Sequence, residues 1–204
     1  MNTAKTDLPS IPRMTAWLTI NRACNLRCNW CYAKMTKFRA EDSMDMSVVQ
    51  KAIIFLKDLS LEAIILIGGE PTIHPNFLRI VDLVKQAGMK VYLVSNVVKF
   101  SDEKFLKDSL DAGIESITVS LKASNANDYK KFTGRNVFEK VAQAIQNIGH
   151  SKIPHVINVT ACENVIDNFE EMMKFVNKSG ARTFSVDTGK PIVLDGKTYV
   201  DGMG

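Results

Sequence analysis

The sequence predicts an α/β protein in which six βα units form an open barrel of parallel strands. Short, nearly continuous apolar runs recur along the chain, as is typical of strands buried on both faces of a parallel sheet. Helical patterns separate these runs, and from the second strand onward the strands start about 25 to 40 residues apart, the length of a βα unit. A closed eight-unit barrel typically needs about 250 residues. The 204 residues of this chain therefore favour an open barrel.

The six predicted strands are rich in β-branched and aromatic residues, which favour extended structure. In chain order they are Ala16–Ile20, Ala63–Ile67, Lys90–Ser95, Ser116–Leu121, His155–Thr160 and Arg182–Asp187.

Apolar residues at helical spacing predict three helices, which cover Val49–Leu56, Phe77–Val84 and Phe169–Val176. Ser47 and Gln50 predict a capping box at the start of the first helix. Gly88 and Gly180 stand where glycine commonly ends a helix.

The chain is predicted to form a single domain over residues 1–204, with an N-terminal tail at residues 1–13. Two short strand-like runs flank Asp195 and Gly196, which predicts a hairpin within the C-terminal segment at residues 188–204. The sequence then stops without a closing helix. This ending fits either a truncated chain or the core of a longer protein.

Composition and charge favour some classes of protein over others. The 26 basic and 22 acidic residues are scattered, so no basic face indicates nucleic-acid binding. No apolar run suits a signal peptide or approaches the roughly 18 to 20 residues of a membrane span, so we expect a cytoplasmic protein without membrane contact. In such a reducing compartment, cysteines that cluster in the sequence indicate metal ligation or redox chemistry.

Three of the four cysteines, Cys24, Cys28 and Cys31, follow the first strand directly. Loops after parallel strands build the sites of this fold class. Structural zinc takes four ligands, and neither Cys162 nor the histidines stand at zinc-finger spacing. A three-ligand zinc site and three structural thiols stay open as readings. A [4Fe-4S] cluster held by three thiolates would instead leave one iron free for a substrate or cofactor.

Two motifs together resemble the radical S-adenosylmethionine (radical SAM) superfamily. The first is C-x3-C-x2-C after strand 1, with Trp30 before the last cysteine, and the second is Gly-Gly-Glu-Pro at Gly68–Pro71 after strand 2. The resemblance spans nearly the whole chain and implies a (βα)6 partial TIM barrel. It is closest to the branch of peptide-modifying maturases and the molybdenum-cofactor cyclisation enzyme. That branch usually carries a cysteine-rich C-terminal extension, whereas no cysteine follows Cys162 here.

The resemblance implies two cofactors, a [4Fe-4S] cluster and S-adenosylmethionine (SAM). An electron from the reduced cluster would cleave SAM into methionine and a 5′-deoxyadenosyl radical, which abstracts hydrogen from the substrate. The electron would come from a donor such as flavodoxin or ferredoxin. The lateral gap of an open barrel suits a peptide substrate. The alternatives are the core of a longer maturase, a glycyl-radical activase, an iron-sulfur electron carrier without catalytic activity, and a zinc-binding module.

The resemblance also implies a role for individual residues. Cys24, Cys28 and Cys31 are the implied cluster ligands. The residues implied to contact SAM are Trp30 at the adenine, Gly68, Gly69, Glu70 and Pro71 near the ammonium group, and Ser95, Asn96, Ser120, Lys122, Asn158 and Asp187 at the later strand ends. Cys162 is read as a small apolar residue or a thiol that serves the substrate. The basic run Lys34, Lys37 and Arg39 is read as a solvated face or a contact for an anionic substrate.

Overall fold

The computed structural model describes residues 14–31, 42–161, 163–181, 183–188, 192–194 and 197–199. Its centre is a six-stranded parallel sheet in which each strand pairs with the next one along the chain. The strands are β1 (Thr15–Thr19), β2 (Ala63–Ile67), β3 (Lys90–Ser95), β4 (Ile114–Leu121), β5 (His155–Ala161) and β6 (Thr183–Thr188).

The order of these strands distinguishes a barrel from a doubly wound sheet. A doubly wound sheet reverses its strand order at one point, whereas the strands of a barrel follow in sequence. Here β1 to β6 run in sequence without a reversal, and among the described residues β1 and β6 are the two ends of the sheet. The prediction of an open six-stranded parallel barrel is confirmed.

Helices connect the strands and cover one face of the sheet. They are α1 (Met46–Asp58), α2 (Phe77–Gln86), α3 (Glu103–Ala112), α4 (Ala126–Thr133), α5 (Phe138–Ser151), α6 (Glu163–Asp167) and α7 (Phe169–Asn177). The three predicted helices correspond to α1, α2 and α7. Two helices lie between β4 and β5, and two more lie between β5 and β6. The sequence had predicted only one helix in these two connections together.

The helix ends test the predicted caps. The capping box at Ser47 is wrong, because α1 already begins at Met46, and Asp45 is its N-cap without a side-chain hydrogen bond. The two glycines are confirmed: Gly88 and Gly180 follow α2 and α7 with φ angles of 84° and 74°. Such positive φ angles strain residues that carry a Cβ.

The two faces of the sheet differ in burial. Because successive strand residues point to opposite faces, one set of strand residues packs under the helices and is fully buried, including Ile64, Leu93, Ile117 and Ile157. The alternate set is only half-buried and lines the concave face: Ile65, Ile67, Tyr92, Val94, Thr118 and Val156. One face of the sheet is thus packed under the helices, and the opposite, concave face is accessible.

Two short strands follow the sheet. β7 (Ile192–Leu194) pairs antiparallel with β8 (Lys197–Tyr199), as predicted, while the turn residues Asp195 and Gly196 lie outside the described residues. The predicted N-terminal tail at residues 1–13 also lies outside them. No helix within the described ranges is long and apolar enough to cross a membrane.

Candidate functional site

The three cysteines lie on one loop at the carboxyl end of β1, which we call the cysteine loop (residues 21–31). The part of this loop that contains Arg27 and Asn29 is hydrogen-bonded to the end of α4. The backbone N–H of Arg27 donates to the carbonyl of Thr133 at 2.8 Å, and that of Asn29 donates to the carbonyl of Phe132 at 2.9 Å. These bonds use carbonyls that the last turn of a helix leaves without partners. The loop therefore has a rigid support on its outer side.

The near part of the cysteine loop is fixed to the Gly-Gly-Glu turn after β2. The N–H of Gly69 donates to the carbonyl of Asn21 at 2.9 Å, and that of Glu70 donates to the carbonyl of Ala23 at 2.8 Å. A Cβ at Gly68 would lie 2.4 Å from the Asn21 carbonyl oxygen, and one at Gly69 would lie 2.3 Å from that of Ala23. Both positions need glycine so that the turn and the loop can touch through their backbones.

The three cysteine thiols are free and half-buried. Burial raises the pKa of Cys24 to about 12 and also raises the pKa of Cys28, although Lys122 opposes the rise at Cys28. The backbone N–H of Leu26 lies 3.4 Å from Cys24 Sγ and donates to it. Thiols bind metals as thiolates, so a bound cation would have to offset the cost of ionising these buried groups.

Three thiols on one loop could serve a metal ion or an iron-sulfur cluster. Within the described residues, no three Cys, His, Asp or Glu side chains form a group that could hold a single metal ion. One zinc ion would need its ligands around a single point, whereas a four-iron cluster spreads its thiolates over separate irons.

Glu70 joins the ends of β2 and β3. It is 1% exposed, and its carboxylate accepts hydrogen bonds from the backbone and hydroxyl of Thr72 at 3.1 and 2.6 Å. It also accepts from the hydroxyl of Ser95 and the backbone N–H of Asn96, both at 2.7 Å. Burial raises the pKa of this carboxyl group, and the hydrogen bonds oppose the rise. Pro71 begins a short 3-10 helix directly after it.

Asn96 carries this network into the cysteine loop. Its side-chain amide donates to Asn25 Oδ1 at 2.7 Å and contacts Cys24 Sγ at 3.9 Å. The next residue, Val97, has a φ of 57°, which is a strained backbone for a β-branched side chain. The chain therefore bends sharply after β3, and the bend aims Asn96 at the first cysteine.

A second polar group lies on β4, β5 and β6, between the middle of these strands and the residues that follow their carboxyl ends. Lys122 Nζ donates to Ser120 Oγ at 2.6 Å, and the amide of Asn158 donates to Ser185 Oγ at 2.8 Å and to Asp187 Oδ2 at 3.0 Å. We call these five residues the polar strand-end cluster. Four of them were predicted as site residues, and the in-register pairing of Ser120 with Asn158 places the two hydrogen-bonded groups on adjacent strands.

Sequence reasoning missed Ser185 and Asn21. Ser185 pairs in register with Asn158, so the strand alignment, had it been known, would have placed both on one face. Asn21 is buried directly after β1, where its side-chain amide donates to the Glu70 carbonyl at 2.9 Å. Its position at a strand end was the available signal.

Trp30 packs against α4. Its ring centroid lies 5.3 Å from that of Phe132 in a tilted arrangement, and the side chain is half-buried. The contact with adenine that the resemblance implies for Trp30 stays a prediction. Four other residues that the sequence singled out lie outside the described residues: Lys34, Lys37, Arg39 and Cys162.

A match to a family model identifies the protein family of this chain. Residues 18–176 match the model described as the radical SAM superfamily. The chain belongs to the radical SAM superfamily. The matched range holds the cysteine loop, the Gly-Gly-Glu turn and every element from β2 to α6, so this radical SAM domain includes the two motifs that the structure joins.

Curated relatives of this radical SAM domain are enzymes. A probable GTP 3′,8-cyclase of Thermococcus kodakarensis is 24% identical over 164 residues, which are 80% of this chain and 53% of the relative. An AdoMet-dependent heme synthase of Methanosarcina barkeri is 24% identical over 180 residues, which are 88% of this chain and 51% of the relative. The chain thus spans about half the length of these relatives.

Solved structures share the fold at low sequence identity. SuiB of Streptococcus suis bound to S-adenosylmethionine superposes with a TM-score of 0.71 at 14% identity, covering 91% of this chain and 43% of SuiB. The anSMEcpe structure with bound AdoMet gives a TM-score of 0.73 at 16% identity, covering 93% of this chain and 55% of anSMEcpe. The radical SAM partial barrel is therefore the fold of this chain.

Proposed function

We propose that this protein is a radical SAM enzyme whose cysteine loop holds a [4Fe-4S] cluster and whose concave face receives SAM and a peptide substrate. One observation carries the proposal. The loop with three free thiols and the Gly-Gly-Glu turn are held together by backbone contacts that only glycine allows. An electron carrier would need a cluster loop, but it would not need this second motif beside it.

In this proposal Cys24, Cys28 and Cys31 hold three irons of the cluster. Such a cluster would leave one iron open to SAM, whose reductive cleavage would supply the radical chemistry. The protein holds the thiols in place through α4 on one side and the Gly-Gly-Glu turn on the other. The Leu26 N–H stabilises charge on the Cys24 sulfur.

The polar strand-end cluster is the proposed subsite for the charged part of SAM. Lys122 offers a cation to the SAM carboxylate, and Asp187 offers an anion to its ammonium or ribose groups. Asn158 holds the Asp187 side chain by a hydrogen bond of 3.0 Å. Trp30, Gly68, Gly69, Glu70, Pro71, Ser95 and Asn96 form the proposed opposite wall, in which Glu70 acts through the backbone that it orders.

A peptide is the proposed substrate because of the chemistry of the concave face. Ile65, Ile67 and Val94 make this face apolar and half-buried, and Thr118, which pairs in register with Val94, adds a neutral hydroxyl group. Neutral donors and acceptors suit backbone amides. Two structural neighbours are bound to peptides, SuiB to its precursor peptide SuiA and anSMEcpe to a Kp18Cys peptide.

The proposal extends to the setting of the reaction. Residues 1–204 act as one catalytic domain in the cytoplasm, and a small reducing protein such as flavodoxin or ferredoxin delivers the electron. The catalytic core of a longer maturase and a glycyl-radical activase perform the same first step. These alternatives differ from one another in what the radical then attacks, and a longer maturase would also carry further segments.

The test is an anaerobic cleavage assay. The protein is reconstituted with iron and sulfide, reduced with dithionite and mixed with SAM, and 5′-deoxyadenosine is quantified by chromatography. We expect the product from the wild type, and we expect Cys28→Ala to lose the product together with part of its iron. Cys162→Ala is the matched control and should keep its iron. A colourless protein with stoichiometric zinc would overturn the proposal, and a full cluster without cleavage would favour the electron carrier.

A further inference from the structure

Tyr129 on α4 has a buried hydroxyl group without a hydrogen-bond partner among the described residues. The side chain is 0% exposed, and no hydrogen-bond partner for its hydroxyl oxygen lies in the described part of the chain. Buried polar groups are nearly always satisfied, so an unpaired one deserves an explanation such as a missing ion or cofactor. The role assignments made from the sequence did not include this residue.

Tyr129 is rigidly linked to the cysteine loop. Thr133 Oγ1 donates to the Tyr129 carbonyl at 2.6 Å, and the carbonyl of Thr133 accepts from the Arg27 N–H at 2.8 Å. The ring of Phe138 packs against the Tyr129 ring with centroids 5.9 Å apart. The backbone of α4 at Tyr129 is therefore held to the cysteine loop through Thr133.

The electrostatic neighbours of the phenol are the groups of the site. Burial raises the pKa of Tyr129, and Cys28, Glu70 and Cys24 raise it further, in that order. The phenol thus stays a neutral O–H donor, and the cysteine that acts on it most strongly is the middle one of the loop. Among the described residues, no acceptor lies within hydrogen-bond distance of this donor.

We propose that Tyr129 donates its phenol hydrogen to a sulfur atom of the iron-sulfur cluster. This inference rests on the proposed function, because the acceptor exists only when the cluster is bound. Hydrogen bonds to the sulfur atoms help to set the reduction potential of such clusters. The reduced cluster carries one more negative charge than the oxidised cluster, so a donor stabilises the reduced form more strongly. Tyr129 therefore raises the potential at which the cluster accepts its electron.

The experiment compares wild type, Tyr129→Phe and Phe138→Leu after anaerobic reconstitution. Iron and sulfide are quantified, and the midpoint potential is measured by a redox titration followed by electron paramagnetic resonance. We expect Tyr129→Phe to keep its iron but to shift its midpoint to more negative potential. A tenfold change in the reduction equilibrium corresponds to about 59 mV for one electron. Phe138→Leu disturbs the same packing but keeps the hydroxyl, so its midpoint should match the wild type.

A second measurement separates this role from a structural one. Without the cluster, Tyr129→Phe should be as stable to urea as the wild type or more stable, because it removes an unpaired buried hydroxyl. The inference would be overturned if the Tyr129→Phe apoprotein were less stable to urea and the midpoint potential of the loaded variant were unchanged. The hydroxyl would then have a hydrogen-bond partner within the protein. An unchanged midpoint in fully loaded Tyr129→Phe would also overturn it, while the proposed function would stand. A wild type that binds no cluster would overturn both.

Discussion

The backbone N–H of Asn96 donates a hydrogen bond of 2.7 Å to the carboxylate of Glu70, which lies 26 residues earlier in the chain. The side-chain amide of the same Asn96 donates to Asn25, also at 2.7 Å. The Gly-Gly-Glu turn, the end of β3 and the cysteine loop are therefore joined by one run of hydrogen bonds. Glu70 therefore orders the site by fixing the backbone that carries the other polar groups.

Glu70→Gln is expected to lower the free energy of unfolding by about 1–3 kcal/mol. One carboxylate oxygen of Glu70 accepts from the Thr72 N–H and the other accepts from the Asn96 N–H. Glutamine has one oxygen and one amide nitrogen, so one backbone N–H would face another donor. Urea unfolding of the apoprotein measures the change through its midpoint and slope.

Glu115→Gln is the matched control for this loss. The Glu115 carboxylate is about half exposed and lies 3.9 Å from Lys90 Nζ. Such surface pairs contribute about 0–1 kcal/mol, so this variant should unfold nearly like the wild type. Equal losses in the two variants would show that the buried network does not depend on the Glu70 carboxylate.

The effect of Glu70→Gln is also expected to depend on pH. Burial raises the pKa of Glu70 above its ordinary value of 4.5. The folded protein then binds this proton more tightly than the unfolded chain does. The stability that protonation contributes is therefore fully present below about pH 4.5 and is lost as the pH rises through the folded-state pKa. The wild type should lose stability relative to the glutamine variant over that window. A constant difference between about pH 4 and pH 7 would contradict this assignment.

Gly69→Ala is expected to destabilise the protein by about 1–3 kcal/mol and to lower its iron content. The new Cβ would lie 2.3 Å from the carbonyl oxygen of Ala23, and a backbone atom cannot turn aside as a flexible side chain can. The cysteine loop would have to move. Iron content after reconstitution and urea unfolding of the apoprotein report the two effects separately.

Gly88→Ala controls for the loss of a glycine as such. Gly88 has a φ of 84°, and no atom lies within 4 Å of the position of an added Cβ. The cost there comes from the left-handed backbone alone, about 1–2 kcal/mol, and the iron content should stay at the wild-type level. If both variants lost iron equally, the close contact at Gly69 would not explain the effect.

The strands were predictable because buried parallel strands carry their own signal. β2 and β3 match the predicted runs Ala63–Ile67 and Lys90–Ser95 residue for residue. By contrast α4 (Ala126–Thr133) is short and mostly polar, and its position depends on the cysteine loop that it supports. The amphipathic helix α5 (Phe138–Ser151) did have a helical pattern in Val141, Ala144 and Ile148, which the sequence analysis overlooked.

The residues of the site also divide into those that local sequence patterns predict and those whose contacts depend on the fold. Local motifs identified the cysteines and the glycine pair, because their spacing along the chain is itself the signal. The contact between Glu70 and Ser95 spans 25 residues and depends on the alignment of β2 with β3. The unpaired hydroxyl of Tyr129 depends on how α4 docks. Periodicity and motif spacing describe neighbours along the chain, so contacts between elements had to come from the structure.

Asn96→Asp is expected to lower the iron content more than Asn96→Ala. The alanine variant loses the donor to Asn25 Oδ1, whereas the aspartate variant places an acceptor against that oxygen and a negative charge near Cys24 and Glu70. Ionised thiolates and a second carboxylate would then repel one another. Iron and sulfide analysis after anaerobic reconstitution gives the ranking. Equal iron content in both variants would assign Asn96 to SAM contact, as the sequence resemblance implies, rather than to support of the first cysteine.

Asn158→Asp is expected to weaken SAM binding at least tenfold, about 1.4 kcal/mol, while leaving the iron content unchanged. The Asn158 amide lies 3.0 Å from Asp187 Oδ2, so the substitution would set two carboxylates against each other and remove the donor that holds Asp187. Anaerobic equilibrium dialysis of labelled SAM against the reconstituted protein measures the affinity. Asn96→Asp is expected to affect binding of the iron-sulfur cluster, whereas Asn158→Asp is expected to affect binding of SAM. Comparison of the two variants therefore separates the two halves of the site. Loss of iron in Asn158→Asp would show instead that the polar strand-end cluster supports the cysteine loop.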